Sequence, residues 1–265
     1  MSLSRLRTIS ATRYALPLRE GGSLPAIVEG DDSGTYVLKF RGAGQGAKAL
    51  VAELISGEIA RTLGLPVPEI VLMELDAALA RSEPDSEIQD LVQASAGLNL
   101  ALDYLPGSIT FDPLVASAAV DVQALAAKIV WFDALVTNVD RTPRNPNLLV
   151  WHRHLWLIDH GASLYFHHAW DNALERAHSP FKPIKDHVLL PFAGDLEAAD
   201  KALAPLLTPQ GLEAIVAQVP ESWLGDVEQF ADVEAHRAAY VKYLGARLQE
   251  PRLWVEEARH AREQL

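Results

Sequence analysis

The chain has 265 residues, 49% of them hydrophobic, and a mean hydropathy of +0.05, which is enough to bury a substantial core as one large domain or two lobes. Its formal net charge of -12 weighs against long-range attraction to nucleic acid or to an anionic membrane surface. Cysteine is absent, so disulfide frameworks, thiolate metal sites and thiol nucleophiles are excluded together. There is no apolar run of about 18 residues. Met1 to Pro17 carries Arg5, Arg7 and Arg13 without the apolar block of a secretory signal, so membrane insertion is not expected and the cytoplasm is the expected address. No long internal repeat or low-complexity tract is present.

In chain order, Pro17 to Pro25 reads as a turn region and Thr35 to Phe40 as an alternating strand. Tyr36, Leu38 and Phe40 share one face of that strand; Lys39 lies with Val37 on the other, where a strand covering a cleft points inward. A glycine-rich turn, Arg41 to Gly46, precedes a helix over Ala47 to Leu63 that Gly64 closes. Ile70 to Leu75 is a second strand, Ser82 to Asp90 a polar surface connection, and Leu98 to Leu105 a third strand ending at Pro106-Gly107. From about Val115 the pattern turns helical, first in a long apolar helix to Asn138 and then in segments from Leu196 onward, one of them opened by Thr208 as N-cap and Pro209. Strands first and helices later predict an α+β fold with segregated halves.

The second half contains one strand pair, Leu148 to Trp151 and Leu155 to Ile158, around His152-Arg153-His154. With a turn centred on Arg153, Trp151 faces Leu155 and Asn147 faces Asp159. Strands lie about 4.7 to 4.9 Å apart and magnesium takes oxygen ligands at about 2.0 to 2.1 Å, so those two side chains can share one ion. Asp140 stands seven residues before Asn147, in a proline-containing loop that can hold a carboxylate beside the metal. Phosphoryl transfer needs one or two cations on the phosphates, a carboxylate to orient the attacking hydroxyl, and a cation on the α/β-phosphates. Lys39 suits the last role, and Glu53 on the following helix can pair with it.

Over roughly Gly21 to Phe166 the chain resembles the HipA-like kinases, with related motifs in the phosphatidylinositol kinases and, more distantly, the protein kinases. Phe132 to Arg141 is similar to the helix end and Asp-Arg catalytic loop of those families. Asn147-Leu148-Leu149-Val150 resembles the asparagine opening the next strand, and Ile158-Asp159-His160-Gly161 the Asp-Phe-Gly segment, with histidine for phenylalanine. The resemblance implies a bilobal kinase-like fold (1–105 a strand-rich N-lobe, 106–265 a helical C-lobe), with ATP and Mg2+ as cofactors. It implies Asp140 as catalytic base, Asn147 and Asp159 as magnesium ligands, Lys39 as the phosphate contact and Glu53 as its partner. The family's usual spacing of five residues selects Asn145 instead of Asn147; the hairpin argument favours Asn147. The third strand would lead into the hinge that receives adenine, which brings in Asp103 and Tyr104. The nucleotide-covering turn would be Glu20 to Pro25, with Gly22 and Ser23, although it departs from a strict glycine pattern. The acceptor implied is a hydroxyl, a serine or threonine of a protein or else a small molecule. Direct nucleic-acid binding is not expected, and the oligomeric state is not legible.

Several features carry more than one reading. Asp133, in an otherwise apolar helix stretch, either braces the catalytic loop or faces solvent at the helix end. Arg141 and Arg144 can contact phosphate, tie a carboxylate or stay solvated. Seven of the nine histidines fall between His152 and His187, but no spacing among them matches a closed zinc site and adjacent strand histidines diverge. His178 to Leu190 reads as a substrate-side loop or ordinary surface. The rival reading is a dinucleotide-binding unit, because Gly42-Ala43-Gly44-Gln45-Gly46-Ala47 fits G-x-G-x-x-A between a strand and a helix. A nucleotide-binding kinase fold without catalysis is a third.

Overall fold

Apolar residues at every second position build the N-terminal part. The computed structural model describes residues 5–18, 24–113, 122–225 and 229–265. In it β1 (Thr8–Pro17), β2 (Ala26–Gly30), β3 (Thr35–Lys39), β4 (Ile70–Leu75) and β5 (Gly97–Asp103) close into a barrel in the order β1-β2-β3-β5-β4. Its interior is filled by one face of each strand, including Val28, Tyr36, Leu38, Met73 and Ala101. β1 and β4 run parallel, and the other neighbours are antiparallel. The connection over Ser82 to Asp90 is in fact partly helix: α2 begins at Ser86 (Ser86–Ala94). The Asp85 side chain caps it through Glu87 N–H, and Ile88 and Val92, one turn apart, bury against the barrel.

α1 (Ala47–Thr62) is buried along almost its whole length. Its Leu54, Ile55 and Ile59 join one core with Leu100 and Leu102 from the outer face of β5 and with the helices that follow. Gly57 faces Ile70, and a Cβ there would collide with that side chain, so glycine permits this close helix–strand approach. β3 and β4 flank α1 in sequence, yet antiparallel β5 lies between them. A dinucleotide unit requires adjacent parallel strands joined by the helix, so the Gly42 to Ala47 turn is not one.

The remaining strands and α-helices among the described residues are β6 (Ile109–Thr110), α3 (Val122–Leu135), β7 (Leu148–Trp151), β8 (His154–Leu157), α4 (Ala173–Ala177), α5 (Leu196–Leu203), α6 (Pro209–Val216), α7 (Val233–Leu248) and α8 (Leu253–Glu263). Thr208 caps α6 as its sequence indicates, accepting from Gly211 N–H. α3 ends at Leu135, short of Asn138, because Thr137 takes a left-handed conformation (φ 54). Arg247, buried on α7, donates to the carbonyls of Ala134 and Leu135 at that end and to Ala177, satisfying acceptors that a helix terminus leaves open. β6, β7 and β8 form a small separate sheet.

Candidate active site

The alternation of β3 sends Tyr36 and Leu38 into the barrel and Val37 and Lys39 outward, into a cleft of about 1120 Å³. Lys39 Nζ lies 2.9 Å from Glu53 Oε2 on α1 and 2.5 Å from Asp159 Oδ1. Burial disfavours the Lys39 charge, but the two carboxylates outweigh it and raise its pKa above the ordinary lysine value. Glu53 is fully buried; desolvation opposes its ionisation, and Lys39 with His160 nevertheless holds its pKa down at about 2. One cation between two anions leaves a net negative charge in the cleft that Asp140 also lines. That is a setting for a further cation.

Asp140 follows the left-handed turn at the end of α3. Its N–H is bonded to Asn138 Oδ1 at 3.1 Å, and its Oδ2 accepts from Asn145 Nδ2 at 2.7 Å and Asn147 Nδ2 at 3.3 Å. Both asparagines therefore converge on Asp140, and an amide that donates through nitrogen keeps its oxygen for a cation. The hairpin register differs from the expected one. Trp151 pairs with His154 and Leu148 with Leu157, so Asn147 stands opposite Ile158, not Asp159. The cause is a two-residue turn in which His152 (φ 48) and Arg153 (φ 67) are both left-handed, the primed geometry that matches strand twist. A slip of one residue ordinarily reverses a side chain's face. Here Asn147 (φ 49) and Asp159 (φ 55) are themselves left-handed and break the alternation, and both line the cleft.

Asp103 and Tyr104 line the same cleft beside Val37 and Leu105. Their N–H groups are donated to Glu69 O and Thr35 O respectively. Gly22 and Ser23 lie outside the described residues. Arg144 lines the cleft wall.

Behind the loop is a buried polar network in which Asp133 meets Arg141, so that of the readings open to Arg141 the tie to a carboxylate is the one observed. Asp133 does not face solvent: it is fully buried and accepts from Arg141 Nε at 2.6 Å, Asn138 Nδ2 at 2.8 Å and His187 Nε2 at 2.9 Å. Desolvation works against its charge, but Arg141 and His187 hold its pKa below the usual carboxylate range. His187 to Leu190 is accordingly interior, not a substrate-side surface. His160 was also missed as a contact. It is buried with Nδ1 3.4 Å from Glu53 Oε1 and its ring edge-on to Phe132; the signal was a histidine where the motif has phenylalanine. Among the described residues no group of three or more His, Asp or Glu side chains is placed to hold a metal. The oxygen donors near Asp159 fit a hard cation that shares its coordination with phosphate and water, and the histidines do not form a zinc cage.

A strand barrel over a helical part, with lysine, helix glutamate, loop aspartate and post-hairpin aspartate meeting in one cleft, is the architecture of a kinase. In structure the chain resembles the Helicobacter pylori proinflammatory kinase CtkA (TM-score 0.59, 13% identity, covering 97% of this chain and 98% of that one). It also resembles the Golgi casein kinase solved with Mn/ADP bound (TM-score 0.51, 12% identity, 97% and 74%). No curated protein matches it in sequence. The family model of the HipA-like kinases matches residues 14–257, and the chain belongs to that family.

Proposed function

We propose that this kinase transfers the γ-phosphate of ATP to a serine or threonine hydroxyl of a protein, with Asp140 as the base. The observation that carries the reading is the position of Asp140, held by two asparagine amides in the cleft that also receives the Lys39–Glu53–Asp159 group. Lys39 is the contact to the phosphates, and Glu53 fixes the ammonium. Asp140 accepts the hydroxyl proton as the new P–O bond forms and the bond to the ADP leaving group breaks. Asp159, with the amide oxygen of Asn147 or Asn145, holds Mg2+, which neutralises phosphate charge when bound. The hairpin register that favoured Asn147 over Asn145 does not hold, so the two are separated by experiment: the ligand is the asparagine whose alanine variant raises the Mg2+ requirement. The nucleotide and Mn in the Golgi casein kinase support the cofactors, and that protein's name supports a protein acceptor. We place the lobe division near Pro106, with 1–105 and 106–265 as the two lobes.

The test separates binding from transfer. With γ-labelled ATP and Mg2+, Asp140→Ala abolishes transfer while keeping nucleotide affinity, whereas Asp159→Ala loses transfer and weakens Mg-ATP binding. Full transfer in either variant refutes the assignment. Tight Mg-ATP binding with no transfer by the wild type to any protein acceptor favours a non-catalytic nucleotide binder.

A further inference from the structure

We propose that Asp133, Arg141 and His187 form a buried clamp that sets the position of the metal-binding side chains at the two ends of the β7–β8 hairpin. In it His187 is a positioning residue contributed from outside the catalytic loop. The proposal rests on the metal role given above to Asp159 and the neighbouring asparagines.

Arg141 is the pivot. Its side chain is fully buried, and its guanidinium divides between two tasks. Nε donates to Asp133 Oδ2 at 2.6 Å; Nη1 donates to the carbonyl of Asn147 and, at 3.3 Å, to that of Ile158. Asn147 is the residue before β7, and Ile158 directly precedes Asp159. One planar fork thus ties together the entry and exit of the hairpin, the points that carry Asn147, one of the two candidate asparagine ligands, and Asp159. A lysine has no second arm in fixed geometry with which to do this.

The other end of the fork is anchored equally firmly. Asp133 accepts from Asn138 and His187 as well as from Arg141. His187 Nδ1 accepts from Leu189 N–H at 3.0 Å, so the proton sits on Nε2 and is directed at Asp133. The next residue, Val188, donates its N–H to Arg141 O at 3.0 Å. The 187–189 segment therefore grips both the side-chain partner and the backbone of the loop arginine.

Stability alone does not account for this arrangement. A buried ion pair bears a desolvation cost that often cancels its attraction, and an apolar set of the same volume is commonly as stable. What the ion pair adds is direction. Asn147 and Asp159 both occupy the left-handed region, which asparagine and aspartate adopt more readily than other non-glycine residues but which is still less populated than ordinary strand backbone. Groups behind metal ligands characteristically orient them, and their loss costs about 10- to 100-fold in metal affinity or activity.

The experiment measures Mn2+ binding by electron paramagnetic resonance, on protein saturated with a non-hydrolysable ATP analogue, in Arg141→Lys, His187→Ala, His187→Gln and Asp159→Ala, each checked for cooperative melting. The proposal expects Arg141→Lys and His187→Ala to weaken Mn2+ by about 10- to 100-fold. Glutamine can still donate to Asp133, so His187→Gln recovers part of the loss. If Arg141→Lys does not fold, the alanine and glutamine variants of His187 carry the comparison. Folded variants that bind Mn2+ within about twofold of wild type, while Asp159→Ala loses it, overturn the clamp and leave the metal site standing. If Asp159→Ala binds Mn2+ normally, the metal reading itself falls and the clamp with it.

Discussion

Lys39 sits between Glu53 and Asp159 at hydrogen-bond distance from both, and the three charges depend on one another. With Glu53 depressed to about 2 from its ordinary 4.5, the folded state binds fewer protons there than the unfolded chain. Its contribution to stability is present above pH 4.5 and is lost as pH falls toward about 2. Glu53→Gln removes that share of the acid limb in melting experiments and frees Lys39 to pair with Asp159 alone. Lys39→Met lowers transfer by about 10²- to 10³-fold, the range for losing one preorganised charge contact, and leaves the melting cooperative. That Lys39, Asp140 and Asp159 face one cleft was legible in the sequence because strand alternation, loop context and chain order each constrain them. The role of His187 and the hold of Arg141 on the hairpin carbonyls were not, because these partners are backbone groups and residues far along the chain, which no local pattern encodes.

Among the elements, the hairpin shows how a correct assignment can carry a wrong register. Both strands were readable from apolar runs, but the turn residues His152 and Arg153 give no Asn-Gly signal, so a three-residue turn was the natural expectation. The left-handed backbone at Arg153 (φ 67) predicts that Arg153→Gly raises stability by about 1 kcal/mol, since a non-glycine residue pays roughly that much there. A drop in melting temperature would contradict the two-residue turn. Arg247 makes the opposite prediction: Arg247→Met strands three buried carbonyls and costs roughly 3 kcal/mol, seen in denaturant midpoints. His167 on the segment after Gly161 is buried, with Nδ1 against Tyr240 Oη at 3.0 Å. Burial, together with the neighbouring cations, lowers its pKa from 6.5 to about 3. The folded state therefore keeps it neutral, and its contribution is present above pH 6.5 and lost as pH falls toward about 3. His167→Gln flattens that part of the stability profile, read as melting temperature against pH.

At the scale of the molecule, the order of strands and helices was enough to reach a kinase-like α+β fold, and the motif order to reach the family. Barrel closure was not readable, because β1 joins β4 in parallel across most of the N-terminal sequence and only three dimensions bring them together. Neither was the close approach of α1 to β4, which depends on the glycine contact at Gly57. The same architecture separates the two nucleotide readings. Mg-ATP at about a hundred times its dissociation constant stabilises the protein by about 2.7 kcal/mol, and NAD does not; a shift with NAD alone contradicts the cleft assignment. The most direct measurement of the central claim is a phosphoproteomic comparison of wild type with Asp140→Ala, expressed at equal levels. The account predicts serine or threonine phosphosites present with wild type and absent with the variant. Identical phosphosite profiles for the two would contradict it.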